Sequence, residues 1–346
     1  AGDGHLSFPQ GFNAIYSIVF TLFKRWSFLL NQPTKLLLEV SKFELRYWRF
    51  VAWLNRYKFD AFFGKDDYSS AHILRSGVLR GAGIQCIGGQ HGLFVPEGLS
   101  PLFRYLDFDH YFMLSGHFYE TYYQERWPED MKIEVTGSYS FPEEVVNNWS
   151  APRPRDILMF LTVLPENDEI LTFVRNMAQS FSDRNLYVRQ KRRIDGSGFE
   201  EKENPEFKLA ALGAATPLPT NVIDTAENSY RLMLKGRYAF CTRNTTIAVE
   251  AMQAGLMTFI VDPSGERYPS GYWRNWPDLI VANADEAVKR ICDIENDVLH
   301  YPWSEVSKLT VNGPKDVANA IRRAAWPKGN PQIRNTEDGF LDLSDA

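Results

Sequence analysis

The stretch IQCIGGQHGLFVPEG, residues 84–98, decides how this chain is read. A short apolar run from Ile84 to Ile87 meets Gly88 and Gly89 and then delivers Gln90, His91 and Gly92. Glycine adopts backbone angles that other residues resist, so the pattern predicts a strand ending in a tight turn. Open α/β sheets bind ligands at the carboxyl edge of their strands, and a turn there would lift His91 out of the sheet. His91 is then either a hydrogen-bonded part of the turn or a functional side chain.

The segments on either side repeat the theme. FDAFFG (59–64) reads as a strand followed by Asp66 and Asp67, and a helix from Ser70 to Arg80 is stopped by Gly81–Gly83. HYFMLSG (110–116) and IEVTGSY (133–139) read as further strands, with a helix over 117–126 between them. Strands alternating with helices at this spacing predict a parallel sheet. The polar, proline-bearing PEEVVNNWSAPRP (142–154) reads as a linker, which divides the chain into domains 1–150 and 151–330 and a polar tail, 331–346. The second domain opens with the strand DILMFLTVL (156–164), a helix over 168–181 and the strand NLYVRQ (185–190). A Gly-, Pro- and Glu-rich loop over 196–219, a short strand over 221–224 and a helix over 226–235 follow. RYAFCT (237–242) is a strand entering a helix that runs to Gly255; LMTFIVD (256–262) and helices over 285–296 and 314–325 complete the pattern. Residues 11–57 read as helical, and the basic, Trp-rich part over 35–57 suits packing on a sheet better than lying on an anionic membrane.

Composition narrows the class. At 346 residues, 44% hydrophobic and 23% charged, the chain is an ordinary globular protein of about two domains. A net charge of −5 argues against nucleic acid as a partner. Cys86, Cys241 and Cys292 are widely spaced, giving neither a disulfide framework nor a metal set, and point to a reducing, cytoplasmic setting. The uncharged run Gly11–Phe23 is too short to span a bilayer, and no cleavage site follows it. The opening AGDGHLSF reads as the start of a processed or trimmed chain.

Three groups of residues suit chemistry. In CTRNTTIAVEAMQAG (241–255), Asn244, Thr245 and Thr246 fall at a helix start, where free backbone NH groups and the dipole favour an anion. Arg243 adds charge there, and Glu250 further along is available to a sugar hydroxyl; simple capping is the plainer reading. RQKRR (189–193) offers Arg189 and Lys191 to a phosphate, or to solvent. Asp66, Asp67 and Glu97 are carboxylates able to orient His91 or to act as base or nucleophile, although Asp67 also suits capping of the next helix.

Taken in order, the strand with Asp, QHG, VTGSY, the linker, VRQK and CTRNTTIAVEAMQAG…FIVD resemble bacterial surface-polysaccharide glycosyltransferases of GT-B fold. The relatives in view are capsule and lipopolysaccharide enzymes, including Kdo transferases, and the teichoic-acid CDP-glycerol glycerophosphotransferases. The resemblance runs from about residue 58 to about residue 265 and rests on motif order. It implies an α/β, GT-B architecture of two Rossmann-like domains whose parallel sheets face a central cleft. The first domain would take the acceptor and the second the nucleotide-sugar, a substrate rather than a cofactor. It further implies a CMP-linked donor such as CMP-Kdo, a glycan or glycolipid acceptor and contact with the inner face of the membrane. His91, Asp66 and Asp67 would be catalytic, with Gln90, Gly92 and Glu97 positioning the acceptor. Arg189, Lys191, Arg243, Asn244, Thr245, Thr246 and Glu250 would hold the donor without a metal. Many relatives carry Lys-x-His-Pro where this chain has YVRQKRR, so Arg189 and Lys191 must serve the phosphates here. The alternatives are a sugar-nucleotide epimerase of the same fold and a non-catalytic, glycan-binding scaffold subunit.

Overall fold

A computed structural model describes residues 15–20, 23–24, 34–57, 59–64, 70–90, 92, 106–161, 168–190, 218–242, 246–262, 272–311, 313 and 316–326. Its first sheet runs β1 (Ala61–Gly64), β2 (Gln85–Gly89), β3 (His110–Met113), β4 (Lys132–Val135), neighbours in that order. Strands β3 and β4 are parallel, His110 opposite Lys132. The helices of this part are α1 (Thr34–Arg56), α2 (Ser70–Gly81) and α3 (Gly116–Phe118), the last continuing as a π-turn over Tyr119–Tyr123. The sequence predicts one regular helix over 117–126. The wide turn instead accompanies a packed set of rings, Tyr123 stacking on Trp127 at 4.3 Å and Tyr111 meeting Trp127 edge-on at 5.3 Å. The segment 142–154 carries a short helix, α4 (Glu143–Asn147), with Glu143 and Glu144 in its first turn, where the helix dipole favours them.

The second sheet is wholly parallel. Its strands are β5 (Ile157–Leu161), β6 (Leu186–Gln190), β7 (Val222–Asp224), β8 (Tyr238–Thr242), β9 (Met257–Val261) and β10 (Ile280–Val281). They lie in the order β10-β9-β8-β5-β6-β7. From β5 the chain winds outward one way through β6 and β7, then returns to β5 and winds the other way. That is the Rossmann order, with its switch point between β5 and β8. The central strands read as unbroken apolar runs because both faces are covered: all five residues of β8 are buried. The helices that accompany it are α5 (Asp168–Ser180), α6 (Ser229–Leu232), α7 (Thr246–Gln253), α8 (Ala284–Glu295) and α9 (Trp303–Leu309), and α10 (Val317–Ala325) follows in the chain.

Several helix boundaries have local causes. At α8, Asn283 Oδ1 accepts from Glu286 N at 2.9 Å while Glu286 Oε2 accepts from Ala282 N at 2.9 Å, so the two side chains satisfy opposing donors at the helix start. The predicted helix over 226–235 is cut to α6 because Glu227 N bonds the Thr225 hydroxyl at 3.1 Å and Asn228 caps Tyr230 N at 2.9 Å. Asn221 precedes β7 and its Nδ2 lies 2.9–3.0 Å from the carbonyls of Ala178, Phe181 and Arg184, tying β7 to the last turn of α5 and the turn after it. Tyr301, before α9, directs its hydroxyl at β9: it accepts from Thr258 N at 2.9 Å and donates to Thr258 O at 2.8 Å.

By contacts the chain forms two units. One holds α1, β1, the end of α2, the start of β2, and α10; the other holds the rest of α2, the end of β2 and all elements from β3 to α9. In the first unit, Trp53 of α1 packs on Phe59 at 5.0 Å and Phe50 meets Phe62 of β1 edge-on at 6.5 Å. Helix α1 thus sets aromatic residues against the sheet, as its spacing suggests. The geometry of the candidate site lies within the second unit.

Candidate functional site

Strand β2 ends against rings. A Cβ on Gly88 would lie 2.6 Å from Tyr111 Cδ2 and 2.8 Å from Phe108, so glycine is needed here for close approach. Gly88 does not take a positive φ, unlike Gly83, Gly137, Gly255 and Gly313. The residue beyond the strand, Gln90, is buried and braces the turn to the end of β3. Its N–H donates to Phe112 O at 2.9 Å, its Oε1 accepts from Leu114 N at 2.9 Å, and its Nε2 donates to Gly92 O at 2.9 Å. Both neighbours of His91 in the chain are therefore fixed. His91 itself, with Asp66, Asp67, Glu97, Lys191, Arg243, Asn244 and Thr245, lies outside the described residues.

The loop after β4, Thr136–Ser140, reaches the second sheet's helices. Thr136 N and Gly137 N both donate to Met113 O at 3.0 Å, and Gly137 sits at φ +71°. The next residue meets α7 twice: Ser138 N donates to Gln253 Oε1 at 2.7 Å and Ser138 Oγ donates to Glu250 Oε1 at 2.7 Å. Glu250 Oε1 also accepts from Tyr230 OH of α6 at 3.0 Å, and Gln253 Nε2 donates to Gly313 O at 3.1 Å. Tyr139 OH closes the circuit back to the first motif, donating to Gln90 O at 3.4 Å. Three segments that the sequence singles out, QHG, VTGSY and TTIAVEAMQ, are thus joined by one hydrogen-bonded chain.

Gln90, Ser138, Glu250 and Gln253 of this circuit are buried. Glu250 keeps 6% exposure, and burial pushes its carboxyl above the usual range, although the Ser138 and Tyr230 hydroxyls pull the other way. Burial and the charge of Glu250 together raise the Tyr230 phenol. Burial likewise raises the thiol of Cys241, so it has little thiolate character. Such a carboxyl can hold loops in register or pass a proton; its Oε2 is the atom left for a ligand.

The other described candidates lie along the carboxyl edge of the second sheet. Thr246 is half-buried at the start of α7, four residues beyond the end of β8 and beside the switch point. Arg189 is half-buried at the fourth position of β6 and pairs with Phe160, which on its other side pairs with Cys241. Two strand spacings put Arg189 about 10 Å from the β8 level. Ser138, Tyr230 and Gln253 are not among the candidates that the sequence offers. Ser138 and Gln253 carry a signal, as polar residues within otherwise apolar or glycine-marked segments; Tyr230 carries none, since aromatic residues are abundant throughout.

No protein-family model and no curated protein matches the chain. Solved structures do. A Listeria monocytogenes protein assigned as a UDP-N-acetylglucosamine 2-epimerase gives a TM-score of 0.50 at 12% identity, covering 84% of this chain and 80% of that one. The S. aureus protein MnaA, solved with UDP, gives 0.47 at 10% identity, covering 82% and 80%. The wall teichoic acid polymerase TagF, soaked with CDPG, gives 0.47 at 10%, covering 78% and 72%. At such identities likeness speaks to fold alone, and the two at 0.47 add no argument. The first, with the topology above, shows a GT-B fold with two Rossmann-like domains.

Proposed function

We propose that this chain is a metal-independent glycosyltransferase, moving a sugar from a nucleotide donor to a bacterial surface glycan or glycolipid. The observation that carries the reading is the switch point between β5 and β8, from which α7 leads directly into the circuit joined to the QHG turn. Open α/β sheets bind ligands at that point, and a helix start there offers NH groups to a phosphate. In this reading the donor phosphate rests on Thr245 and Thr246, with Asn244, Arg243, Arg189 and Lys191 neutralising the charge of the departing nucleotide. His91, between Gln90 and Gly92 in the chain, acts as acid/base group or binds the donor or acceptor, and Asp66 or Asp67 is the carboxylate available for a retaining route. Glu97 positions the acceptor. Glu250 keeps the 136–140 loop on α7 and offers Oε2 to a sugar hydroxyl. A CMP-linked donor such as CMP-Kdo is the favoured choice, and domains 1–150 and 151–330 divide acceptor from donor.

The test is a thermal-shift panel of CMP, CDP, UDP, GDP and their conjugates, followed by transfer assays with His91→Ala. One base should raise the apparent stability, by about 2.7 kcal/mol at a hundredfold excess over its Kd. His91→Ala should bind that nucleotide as before while transfer falls steeply. No shift with any nucleotide would turn the reading to a glycan-binding scaffold. Turnover of the donor with no acceptor present would identify an epimerase, the activity assigned to the Listeria structure.

The reading includes peripheral contact with the cytoplasmic membrane surface. Among the described residues no helix is long and apolar enough to cross a bilayer. Helical residues 15–20 and 23–24, tied to α1 by Ser17 Oγ donating to Glu44 Oε2 at 2.9 Å, expose Ile15, Tyr16, Val19, Phe20 and Phe23 at one-face spacing, Phe23 at 77%. Lys24 next to them, and Lys42, Arg46 and Arg49 on α1, are exposed cations suited to anionic headgroups. The protein should sediment with vesicles containing phosphatidylglycerol and not with phosphatidylcholine alone, and Phe20→Asp/Phe23→Asp should stay in the supernatant. Equal sedimentation with both vesicles, or none, removes this part.

A further inference from the structure

At the amino edge of the second sheet, the opposite edge from the switch point, lies an open cavity of about 440 Å³. Its walls come from the segment 142–154, with Trp149, Ser150 and Arg153; from Arg237, just before β8; and from Gly255, which ends α7 at φ +80°. Among the described residues that line it, none is acidic. Arg153 is half-buried, its Nε is out of contact with water and without a hydrogen-bond partner, and among the described residues no carboxylate pairs with it. Burial lowers the pKa of its guanidinium, as expected for a cation that has lost water and gained no counter-charge. Arg237 is exposed and lies over the Tyr238 ring at 5.9 Å. The nearby acids are engaged elsewhere: Asp156 accepts from Asn185 N and Nδ2 at 3.0 and 3.1 Å, and Glu295 accepts from Arg184 and Tyr238.

We propose that this cavity is a second anion site, taking the phosphoryl group of a small molecule and distinct from any donor phosphate site at the carboxyl edge. Its construction suits a tetrahedral oxyanion. Two guanidinium groups present planar forks of donors, the geometry that grips phosphate oxygens in pairs. The Ser150 hydroxyl is a further donor, and Trp149 gives an apolar wall for the body that carries the phosphoryl group. The volume falls within the range of small-molecule sites, which begins at about 300 Å³. An unpaired, partly desolvated cation is unfavourable in the empty site, and a bound oxyanion supplies the missing charge. The ligand would also tie the segment 142–154 to the C-terminal end of α7, the helix that carries Glu250 and Gln253.

The probe is inorganic phosphate, titrated calorimetrically into the nucleotide-free protein at constant ionic strength, with chloride as control. The titration is made on Thr246→Val, in which the proposed donor phosphate site at the carboxyl edge is impaired; this variant should still bind phosphate, and the arginine substitutions are added to it. Arg153→Met and Arg237→Met should each weaken binding roughly tenfold or more, the scale expected for losing one charge-assisted pair of hydrogen bonds. In phosphate-free buffer Arg153→Met should melt no lower than wild type, because it removes an uncompensated cation. Absence of phosphate binding, or binding that survives both arginine substitutions, overturns the proposal. Binding by wild type but not by Thr246→Val would assign the phosphate to the carboxyl edge and overturn it equally. A lower melting temperature for Arg153→Met in phosphate-free buffer would make Arg153 a structural residue and overturn it as well.

Discussion

Gly137→Ala should lower the unfolding free energy by about 4 kcal/mol, combining left-handed strain of about 1–2 with overpacking of about 1–3. Gly137 sits at φ +71°, and an added Cβ would lie 2.5 Å from both Gln253 Oε1 and Val311 Cγ2. Gln253 cannot swing aside cheaply: it is fully buried, with its Oε1 on Ser138 N and its Nε2 on Gly313 O. Gly83→Ala is the control. It has nearly the same φ, +73°, with nothing within 4 Å of the added Cβ, and should show only the strain, about 1–2 kcal/mol. Urea midpoints of the two variants, compared at equal m, separate the contributions. Equal losses would mean that the contact of the β4 loop with α7 gives way without cost.

Arg184→Met should cost about 3 kcal/mol at pH 7, by leaving a mostly buried carboxylate without its partner. Arg184 Nη1 and Nη2 grip the two oxygens of Glu295 at 2.9 and 2.7 Å, with side chains 10% and 13% exposed, and Tyr238 OH donates to the same carboxylate at 2.9 Å. The clamp joins the turn after α5 to the end of α8 and the start of β8. Burial raises the Glu295 carboxyl, but the Arg184 and Tyr238 hydrogen bonds and the arginine charge outweigh it, so its pKa is lowered overall. A carboxyl with a lowered folded pKa adds stability that is complete above its unfolded value and is lost as pH falls through the folded one. The difference between wild type and Glu295→Gln should therefore be full at neutral pH and shrink on acidification below the ordinary carboxylate range. A difference that is flat from pH 7 to pH 3 would show that the ion pair contributes nothing through its charge.

Much of the fold is legible because its strands are short apolar runs stopped by glycine, proline or polar turns. ILMFL and YAFCT are buried on both faces and could hardly be anything but central strands. The features that sequence hides are those decided by distant partners. Ser138 and Glu250 are 112 positions apart, and nothing local in VTGSYS announces that its serine will close on a glutamate of α7. The same holds for β10, two residues long and a strand only because β9 lies beside it. Helix α9 escaped because WSEVSKL is brief and follows a proline, so its periodicity never accumulates. At Gly88 the residue is legible while its reason is not, since the rings that demand it come from Phe108 and Tyr111.

The Tyr301 hydroxyl has a consequence for how this protein behaves in company. Strand β10 covers β9 only at Ile260 and Val261, so the first half of β9 is a sheet border. An uncovered border is a template on which a second chain can lay a strand, the first step of many aggregation routes. By occupying both the N–H and the carbonyl of Thr258, one phenol takes the place of a neighbouring strand and closes the template to outsiders. A single aromatic residue, supplied from the turn before α9, thereby keeps a two-residue strand sufficient as the last member of its sheet.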